Sequence, residues 1–302
     1  MMRIGISVSS SYQVDDPREG ARNMIERARA ARDAGLDSLF VGDHHVTPFT
    51  YYQNTPILGR MLAEWSEMPF GALYLLPLWH PVVLAEQIAT LASIAPGRFI
   101  MQCGLGDDRQ GKAMGVDMSR RVGMFRASLE VMRALWRGES VDEERYWHLC
   151  GARIAPLPPE PIEVWIGALV QPAIRRAAQL GEGWLASPNL TPAQTADAAN
   201  VYRQACAEFG RSPAAVALRR DIFVGATSQA ARATVTPYVE AGYRGMSEDA
   251  LLFGSPGEVA DQLRSFADQG YTDVIVRNLS ARQDESLATI ERLAEVKALL
   301  TG

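Results

Sequence analysis

Short apolar runs and longer amphipathic segments alternate along most of the chain. The apolar runs, beginning with residues 3–9, are bounded by turn residues and are typical of buried strands. The segments between them space their apolar residues as helices do, and the first starts at Pro17 and stops at Gly35. The pattern therefore predicts about eight successive strand–helix units.

The predicted elements cover most of the sequence. Strands are predicted at residues 3–9, 36–41, 69–76, 98–104, 162–166, 183–187, 216–224 and 272–276. Helices are predicted at residues 17–34, 56–65, 81–95, 119–137, 172–180, 192–209, 229–241, 256–269 and 285–300.

This alternation predicts an α/β fold with a parallel sheet, and eight repeats favour a closed (β/α)8 TIM barrel. A doubly wound open sheet is the alternative, but the first strand–helix turn lacks the Gly-x-Gly-x-x-Gly fingerprint. An irregular insertion at about 139–161, rich in proline and aromatic residues, follows the fourth unit and is consistent with a small hairpin around 146–154. We expect residues 1–302 to form a single domain.

Composition narrows the class of protein. The 302 residues are 47% hydrophobic and 22% charged with a formal net charge of −5, as in ordinary soluble proteins. No dense Lys/Arg run suggests nucleic acid, and no apolar run is long enough to span a membrane. Three widely spaced cysteines without a Cys-x-x-Cys pair favour reduced thiols, and the first residues lack a signal-peptide pattern. We therefore expect a cytoplasmic protein.

Asp43, His44 and His45 directly follow the second predicted strand. Loops at the carboxyl ends of parallel strands carry the chemistry of such folds, and a carboxylate there can orient one imidazole while the other faces a cavity. The alternative is a pair of loop histidines bound by neighbouring carbonyl groups. Adjacent histidines rarely bind one ion together, so no metal site is predicted.

Charged residues occur inside the last two strands. Arg219, Arg220 and Asp221 are unusual there, because buried charges need partners. One arginine is expected to face the cavity and meet an anionic substrate or the cofactor, or else to pair with Asp221. Arg277 ends the eighth strand, close to the usual phosphate position of TIM barrels. Arg220 and Arg277 are the candidate substrate residues.

Several motifs stand in a characteristic order. They are Gly-Leu-Asp-Ser-Leu-Phe-Val-Gly-Asp-His-His (35–45), Leu-Pro-Leu-Trp-His-Pro (76–81) with Leu-Ala-Glu-Gln (84–87), Pro-Gly-Arg-Phe (96–99), Gly115 with Arg121, Glu130 and Leu-Trp (135–136), Gly-Glu-Gly-Trp (181–184) and Gly-Ser-Pro-Gly-Glu-Val (254–259). Together, from residue 3 to about residue 280, the chain resembles the bacterial-luciferase-like oxidoreductases.

The resemblance implies a TIM barrel that binds FMN or coenzyme F-420 and catalyses hydride transfer to, or monooxygenation of, a small organic substrate. It implies a catalytic role for Asp43, His44 and His45, with His44 as the main candidate. It also implies a homodimer and, with FMN, a partner flavin reductase. The alternative is a flavin-binding or accessory barrel without catalytic activity.

The resemblance further implies a cofactor site around the third to sixth strands, with a non-proline cis peptide at Ala72–Leu73. The cofactor candidates are Gly71, Ala72, Leu73, Cys103, Gly104, Leu105, Gly106, Gly167, Ala168, Leu169, Val170, Gln171 and Trp184. Gly104 and Gly106 would let backbone approach a ligand closely. The chain departs from its relatives at two phosphate positions, because Leu105 stands for an arginine and the segment 167–171 lacks a serine. Backbone N–H groups near the helix start at Pro172 remain as phosphate donors.

Overall fold

The computed structural model describes residues 2–65 and 67–301. Its strands are β1 (Arg3–Val8), β2 (Ser38–Val41), β3 (Phe70–Leu75), β4 (Phe99–Gly104), β5 (Val141–Glu143), β6 (Leu149–Ala152), β7 (Glu163–Ala168), β8 (Gly183–Ala186), β9 (Ala215–Val224), β10 (Leu252–Gly254) and β11 (Asp273–Asn278). Its helices are α1 (Pro17–Asp33), α2 (Asn54–Met61), α3 (Pro81–Ile94), α4 (Asp108–Ala113), α5 (Arg121–Trp136), α6 (Gln171–Leu180), α7 (Pro192–Glu208), α8 (Ser228–Glu240), α9 (Pro256–Asp268) and α10 (Gln283–Thr301).

Eight of the strands form a closed parallel barrel. Their order is β1–β2–β3–β4–β7–β8–β9–β11, and β11 pairs back with β1. This confirms the predicted TIM barrel, and the predicted strands and long helices overlap the observed ones closely. Within the described residues, no helix is both long and apolar enough to cross a membrane.

Three short features were not predicted from the sequence or lie at other residues than predicted. In the segment 139–161, β5 and β6 pair as an antiparallel ribbon, so the hairpin spans 141–152 rather than 146–154. Helix α4 lies outside the predicted elements and is only six residues long. It starts with a cap, in which the Asp107 carboxylate accepts a hydrogen bond from the Gln110 N–H at 2.8 Å. Strand β10 pairs with the end of β9. Elements this short bury too few residues to show a period.

Strand alternation separates the barrel interior from its outer face. One buried cluster combines inward-facing side chains from six strands: Phe40, Ile100, Trp165, Leu185, Ala215, Ala217 and Ile275. The opposite faces pack against the helices in a larger cluster. At Gly71 an added Cβ would lie 1.8 Å from the Ile100 carbonyl oxygen, so β3 and β4 approach there only because the side chain is absent. This packed interior leaves the carboxyl ends of the strands as the place for a site.

The closed strand order also fixes which loops face each other. Strands β4 and β7 stand across the barrel axis from β11 and β1. The loops that follow β4 and β7 therefore lie opposite the ends of β1 and β11. A ligand that spans the mouth of the barrel would meet both sides.

Candidate active site

Asp43 locks two strand ends together. It is buried at the end of β2, and its Oδ2 accepts hydrogen bonds from the Leu75 N–H and from the Trp79 indole, both at 2.8 Å. Its Oδ1 lies 3.1 Å from His45 Nε2. These contacts join the turn after β2 to the turn after β3, so Asp43 positions the loop that holds both histidines.

The two histidines have different surroundings. The His45 ring packs edge-on against Trp79, with 5.5 Å between ring centroids, and its backbone N–H donates to the Gln110 side chain at 2.7 Å. His44 instead lines a cavity at the carboxyl ends of the strands and lies 5.8 Å from the Tyr51 ring. His44 is therefore the one that a ligand in this cavity can reach.

Arg109, which the sequence analysis did not single out, fixes the state of His44. Its Nη2 lies 3.1 Å from His44 Nε2. Burial, and next the positive charge of Arg109, lower the pKa of His44 below its ordinary range, which favours the neutral imidazole at pH 7. Because a guanidinium only donates, we assign Nε2 as the acceptor and place the ring proton on Nδ1. A neutral His44 can then donate a hydrogen bond through Nδ1.

The cavity beside His44 has a volume of about 360 Å³ and extends to the ends of β1 and β11 and to Arg219 in the middle of β9. This size is at the lower end of the ~300–1,000 Å³ typical of small-molecule sites. Leu73 forms part of its wall, and Ser7, Tyr51 and Arg277 form others. Within the described residues, no cluster of three or more His, Cys, Asp or Glu side chains could hold a metal ion. The cavity is suited to a small organic molecule.

The substrate candidates separate in the structure. Arg277 lines the cavity and forms a buried ion pair with Asp221. Arg220 points out of the barrel, where its guanidinium donates to the carbonyl oxygens of Pro188 and Leu190 at 3.2 and 2.7 Å. The prediction that Arg220 binds the substrate is therefore wrong, because this side chain holds the loop after β8 instead. Arg219, one residue earlier, lines the cavity.

The alternation of side chains along β9 explains why Arg219, and not Arg220, lines the cavity. Arg219 and Asp221 follow the interior residue Ala217 at spacings of two, and Arg219 pairs in register with the interior residue Ile275. The alternation in the sequence contained this signal, because Ala217 and Arg219 share one face. The sequence analysis expected Asp221 to pair with Arg219 or Arg220, but Asp221 bonds to Arg277 on the neighbouring strand.

The cofactor candidates fall into two groups. Some lie at the mouth of the barrel: Leu73 lines the cavity, Gly104, Leu105 and Gly106 are half-buried, and Gly167, Leu169, Val170 and Gln171 are exposed. Others are buried in the core or within the sheet: Gly71, Ala72, Cys103, Ala168 and Trp184.

Trp184 and Cys103 were predicted to bind the cofactor, but their side chains are buried in the core. The Trp184 indole donates to the Ala168 carbonyl at 3.0 Å, and its ring packs against Tyr202 behind the sheet. Cys103 is fully buried, which raises the pKa of its thiol and keeps it protonated. Both side chains stabilise the fold. The cis peptide bond of the described residues lies at Ala155–Pro156, and the Ala72–Leu73 bond is not cis.

The mouth offers apolar surface to the ring of a flavin or deazaflavin but few side-chain donors to a phosphate. Leu169 and Val170, which follow β7, are 48% and 60% exposed, so their apolar side chains are accessible to a flat, largely apolar ring. Leu105 offers no charge, and the N-cap residue Val170 makes no side-chain hydrogen bond at the start of α6. Backbone N–H groups are the donors left for a phosphate there.

The fold and the site define a (β/α)8 barrel whose pocket opens at the carboxyl ends of its strands. Residues 2–273 match the family model of the luciferase-like monooxygenases. Since the match covers most of the chain, the protein belongs to this family.

Individual relatives agree with the family. An F420-dependent glucose-6-phosphate dehydrogenase from Nakamurella multipartita is 28% identical over 197 residues, which cover 62% of this chain and 58% of that enzyme. A monooxygenase from Streptomyces bottropensis superposes with a TM-score of 0.87 at 19% identity, covering 100% of both chains. The oxygenating constituent of 3,6-diketocamphane monooxygenase from Pseudomonas putida, in complex with FMN, has a TM-score of 0.84 at 19% identity over 99% and 98% of the two chains. These two structures support the fold.

Proposed function

We propose that this protein is an oxidoreductase that transfers a hydride between coenzyme F-420 and a small organic substrate. The observation that carries the proposal is His44, a neutral imidazole on the wall of a cavity at the barrel mouth. The sequence similarity to F420-dependent dehydrogenases supports the deazaflavin. The missing phosphate side chains agree, since F-420 holds its phosphate as an internal diester and FMN ends in a phosphate monoester.

The residues at the mouth would hold the cofactor. Leu73 and the glycines at 104, 106 and 167 would lie against its ring, and the first N–H groups of α6 would face its phosphate. When bound, the cofactor supplies the hydride chemistry that no side chain provides.

The protein's own part is to orient the substrate and to hold a proton. His44 donates a hydrogen bond through Nδ1 to a substrate oxygen in the cavity, while Arg109 holds its other nitrogen. Asp43 keeps the loop in place through Leu75 and Trp79. The apolar rim around Leu169 and Val170 excludes water when a ring covers it, which strengthens these hydrogen bonds.

A second candidate is an FMN-dependent monooxygenase that receives reduced flavin from a partner reductase. The family description, luciferase-like monooxygenase, favours it. An accessory barrel without activity is the remaining alternative, and it gives no physical reason for a neutral histidine held by an arginine on a cavity wall.

Titration of the purified protein with F-420 and FMN, each oxidised and reduced, tests these proposals by fluorescence. We expect F-420 to bind more tightly than FMN. Tighter binding of reduced FMN would select the monooxygenase. If none of the four binds at up to about 1 mM, a binding free energy weaker than about −4 kcal/mol, the redox proposal is wrong.

A pair of histidine variants tests the role of the loop. His44→Gln should reduce turnover at least 100-fold, the scale of acid–base catalysis, and leave the unfolding midpoint unchanged. His45→Gln should lower the unfolding midpoint, because His45 packs against Trp79 and lies beside Asp43. Equal turnover of His44→Gln and the unaltered protein would remove His44 from the reaction.

Three further expectations belong to the same proposal: a homodimer, a cytoplasmic location and a single domain over 1–302. Light scattering of the purified protein would test the first. A monomeric mass across the micromolar range would exclude the dimer.

A further inference from the structure

The cavity beside His44 has a marked excess of positive charge on the side formed by β1, β9 and β11. Four guanidinium groups line it, those of Arg27, Arg219, Arg244 and Arg277. Three carboxylates are near: Asp43 in the wall, Asp221 next to Arg277, and Glu26, whose charge acts on Arg27. Asp43 Oδ2 accepts two hydrogen bonds from the end of β3 and the turn after it, whereas Oδ1 lies 3.1 Å from His45 Nε2 and makes no hydrogen bond. Asp221 alone offsets the arginines of β9 and β11.

Asp221 is itself committed to Arg277. Its Oδ2 accepts from the Arg277 guanidinium and, at 3.0 Å, from the Tyr243 hydroxyl. Burial, and next the charges of Arg277 and Arg244, lower the pKa of Arg219 to about 10, although Asp221 acts in the opposite direction. Arg219 remains charged at neutral pH, and its charge is not balanced by the groups around it.

Several hydrogen-bond donors in this wall also have no partner. In the part of the chain that the structure describes, six buried atoms of the cavity wall make no hydrogen bond: the donors Ser10 Oγ, Tyr12 Oη, Arg27 Nη2 and Arg219 Nε, and the acceptors Asp43 Oδ1 and Asn278 Oδ1. Burial raises the pKa of Tyr12 to about 12, so its hydroxyl stays protonated and can donate. Unpartnered buried donors cost free energy, and a natural protein rarely gathers several in one wall without a ligand.

The loop before β10 adds a strained arginine to the same wall. Arg244 has φ +51°, a left-handed conformation that a residue with a side chain adopts at a cost, between Gly242 and Gly245. This turn brings Arg244 to the solvent edge of the cavity, where its charge acts on Arg219. Strain of this kind is retained where a side chain must be held in one place.

We propose that this arginine-lined side is a subsite for a doubly charged oxyanion group of the substrate, such as a phosphate or a pair of carboxylates. This inference rests on the proposed function only in that the anionic group is assigned to the substrate. The subsite lies across the barrel axis from the rim at β4 and β7, so it is separate from the site of the cofactor's phosphate. An anion bound there directs the rest of the molecule towards His44, which lines the same cavity. Guanidinium groups suit oxyanions because they donate in pairs.

Binding of inorganic phosphate and sulfate to the protein without cofactor tests the subsite. Calorimetric titration at pH 7.5 should give a dissociation constant on the order of 1 mM, with chloride and acetate at matched ionic strength giving no binding. Arg219→Gln and Arg244→Gln should each weaken phosphate binding at least tenfold. Arg232→Gln, which removes an equal charge from an exposed ion pair with Glu248, should leave it unchanged.

If these arginines had a purely structural role, Arg219→Gln would lower the unfolding midpoint in the absence of anion. The subsite proposal predicts that the midpoint does not fall, because no carboxylate loses a hydrogen-bond partner in this variant. The subsite is wrong if phosphate binds no better than chloride, or if both variants retain phosphate binding. Acetate binding as tightly as phosphate would contradict the double charge. Since no cofactor is present, failure of the F-420 and FMN titrations would leave this result standing, and failure here would leave those titrations standing.

Discussion

Arg219 and Arg277 point into one cavity from the neighbouring strands β9 and β11, and Arg277 alone bonds to the carboxylate of Asp221. Replacing each by glutamine, which keeps much of the length and removes the charge, should therefore change stability in opposite directions. Arg219→Gln should stabilise the folded protein. Arg277→Gln should destabilise it, because the buried Asp221 would lose its charged partner and keep only the Tyr243 hydroxyl.

The magnitude follows from the pKa of Arg219. Burial and the neighbouring charges of Arg277 and Arg244 lower this pKa from 12.5 to about 10. At 1.36 kcal/mol for each tenfold change, the charged side chain costs at most about 3 kcal/mol in the folded state. Water in the cavity screens part of this cost, and glutamine keeps a polar head, so we expect a gain of about 1 kcal/mol.

The sign can also be checked against pH. Because the folded state holds the Arg219 proton less tightly than the unfolded state, the full cost is present below pH 10 and disappears between about pH 10 and 12.5. The gain of the variant should therefore be constant across neutral pH. For Arg277→Gln, breaking a buried pair costs about 3–5 kcal/mol.

Urea unfolding at pH 7.5 and low salt, followed by circular dichroism, measures both effects through the midpoint at constant slope. Arg232→Gln serves as the control for loss of an exposed charge, with an expected change within about 0.5 kcal/mol. A loss of more than about 1 kcal/mol in Arg219→Gln would refute the reasoning, since it would reveal a stabilising partner for this charge.

Three other predictions follow from single contacts. Arg109→Gln should raise the pKa of His44, and so move the acid limb of the rate profile to higher pH, which NMR titration of the imidazole can check directly. Asp43→Ala should cost about 3 kcal/mol in urea unfolding, because it leaves two buried donors, including the Leu75 N–H, without an acceptor. Leu105→Arg should tighten FMN binding about tenfold if a missing charge limits it, a change of about 1.4 kcal/mol, and fluorescence titration would show it.

The barrel could be predicted from the sequence because the patterns of its strands and of its helices are both clear. Strands buried on both faces are read as apolar runs, and the helices between them start and stop at proline and glycine. The short elements α4 and β10 leave no comparable pattern. His44 was also accessible from sequence, because a strand end followed by histidine places a side chain at the mouth of any such barrel.

The partners of these residues were not accessible, because they are distant in the chain. Arg109 meets His44 across 65 positions, and Arg277 meets Asp221 across 56. Arg219 was recognised as unusual, but choosing it over Arg220 needed the inward face of β9, which the pairing with β11 settles. Trp184 shows the same limit in reverse, since a family motif residue proved to be packed behind the sheet.

The excess charge that lowers stability is also what makes an anion stabilising, and this couples the two experiments. Phosphate that binds the folded protein adds RT ln(1 + [L]/Kd) to its apparent stability, about 2.7 kcal/mol at a hundred times Kd. Arg219→Gln starts about 1 kcal/mol ahead by the argument from its pKa and gains little from phosphate. The two unfolding curves should therefore cross between about four and ten times Kd, about 4–10 mM for the unaltered protein, where the difference between the two added terms reaches about 1 kcal/mol. Parallel curves over that range would show that the charge of Arg219 and the binding of phosphate are unrelated.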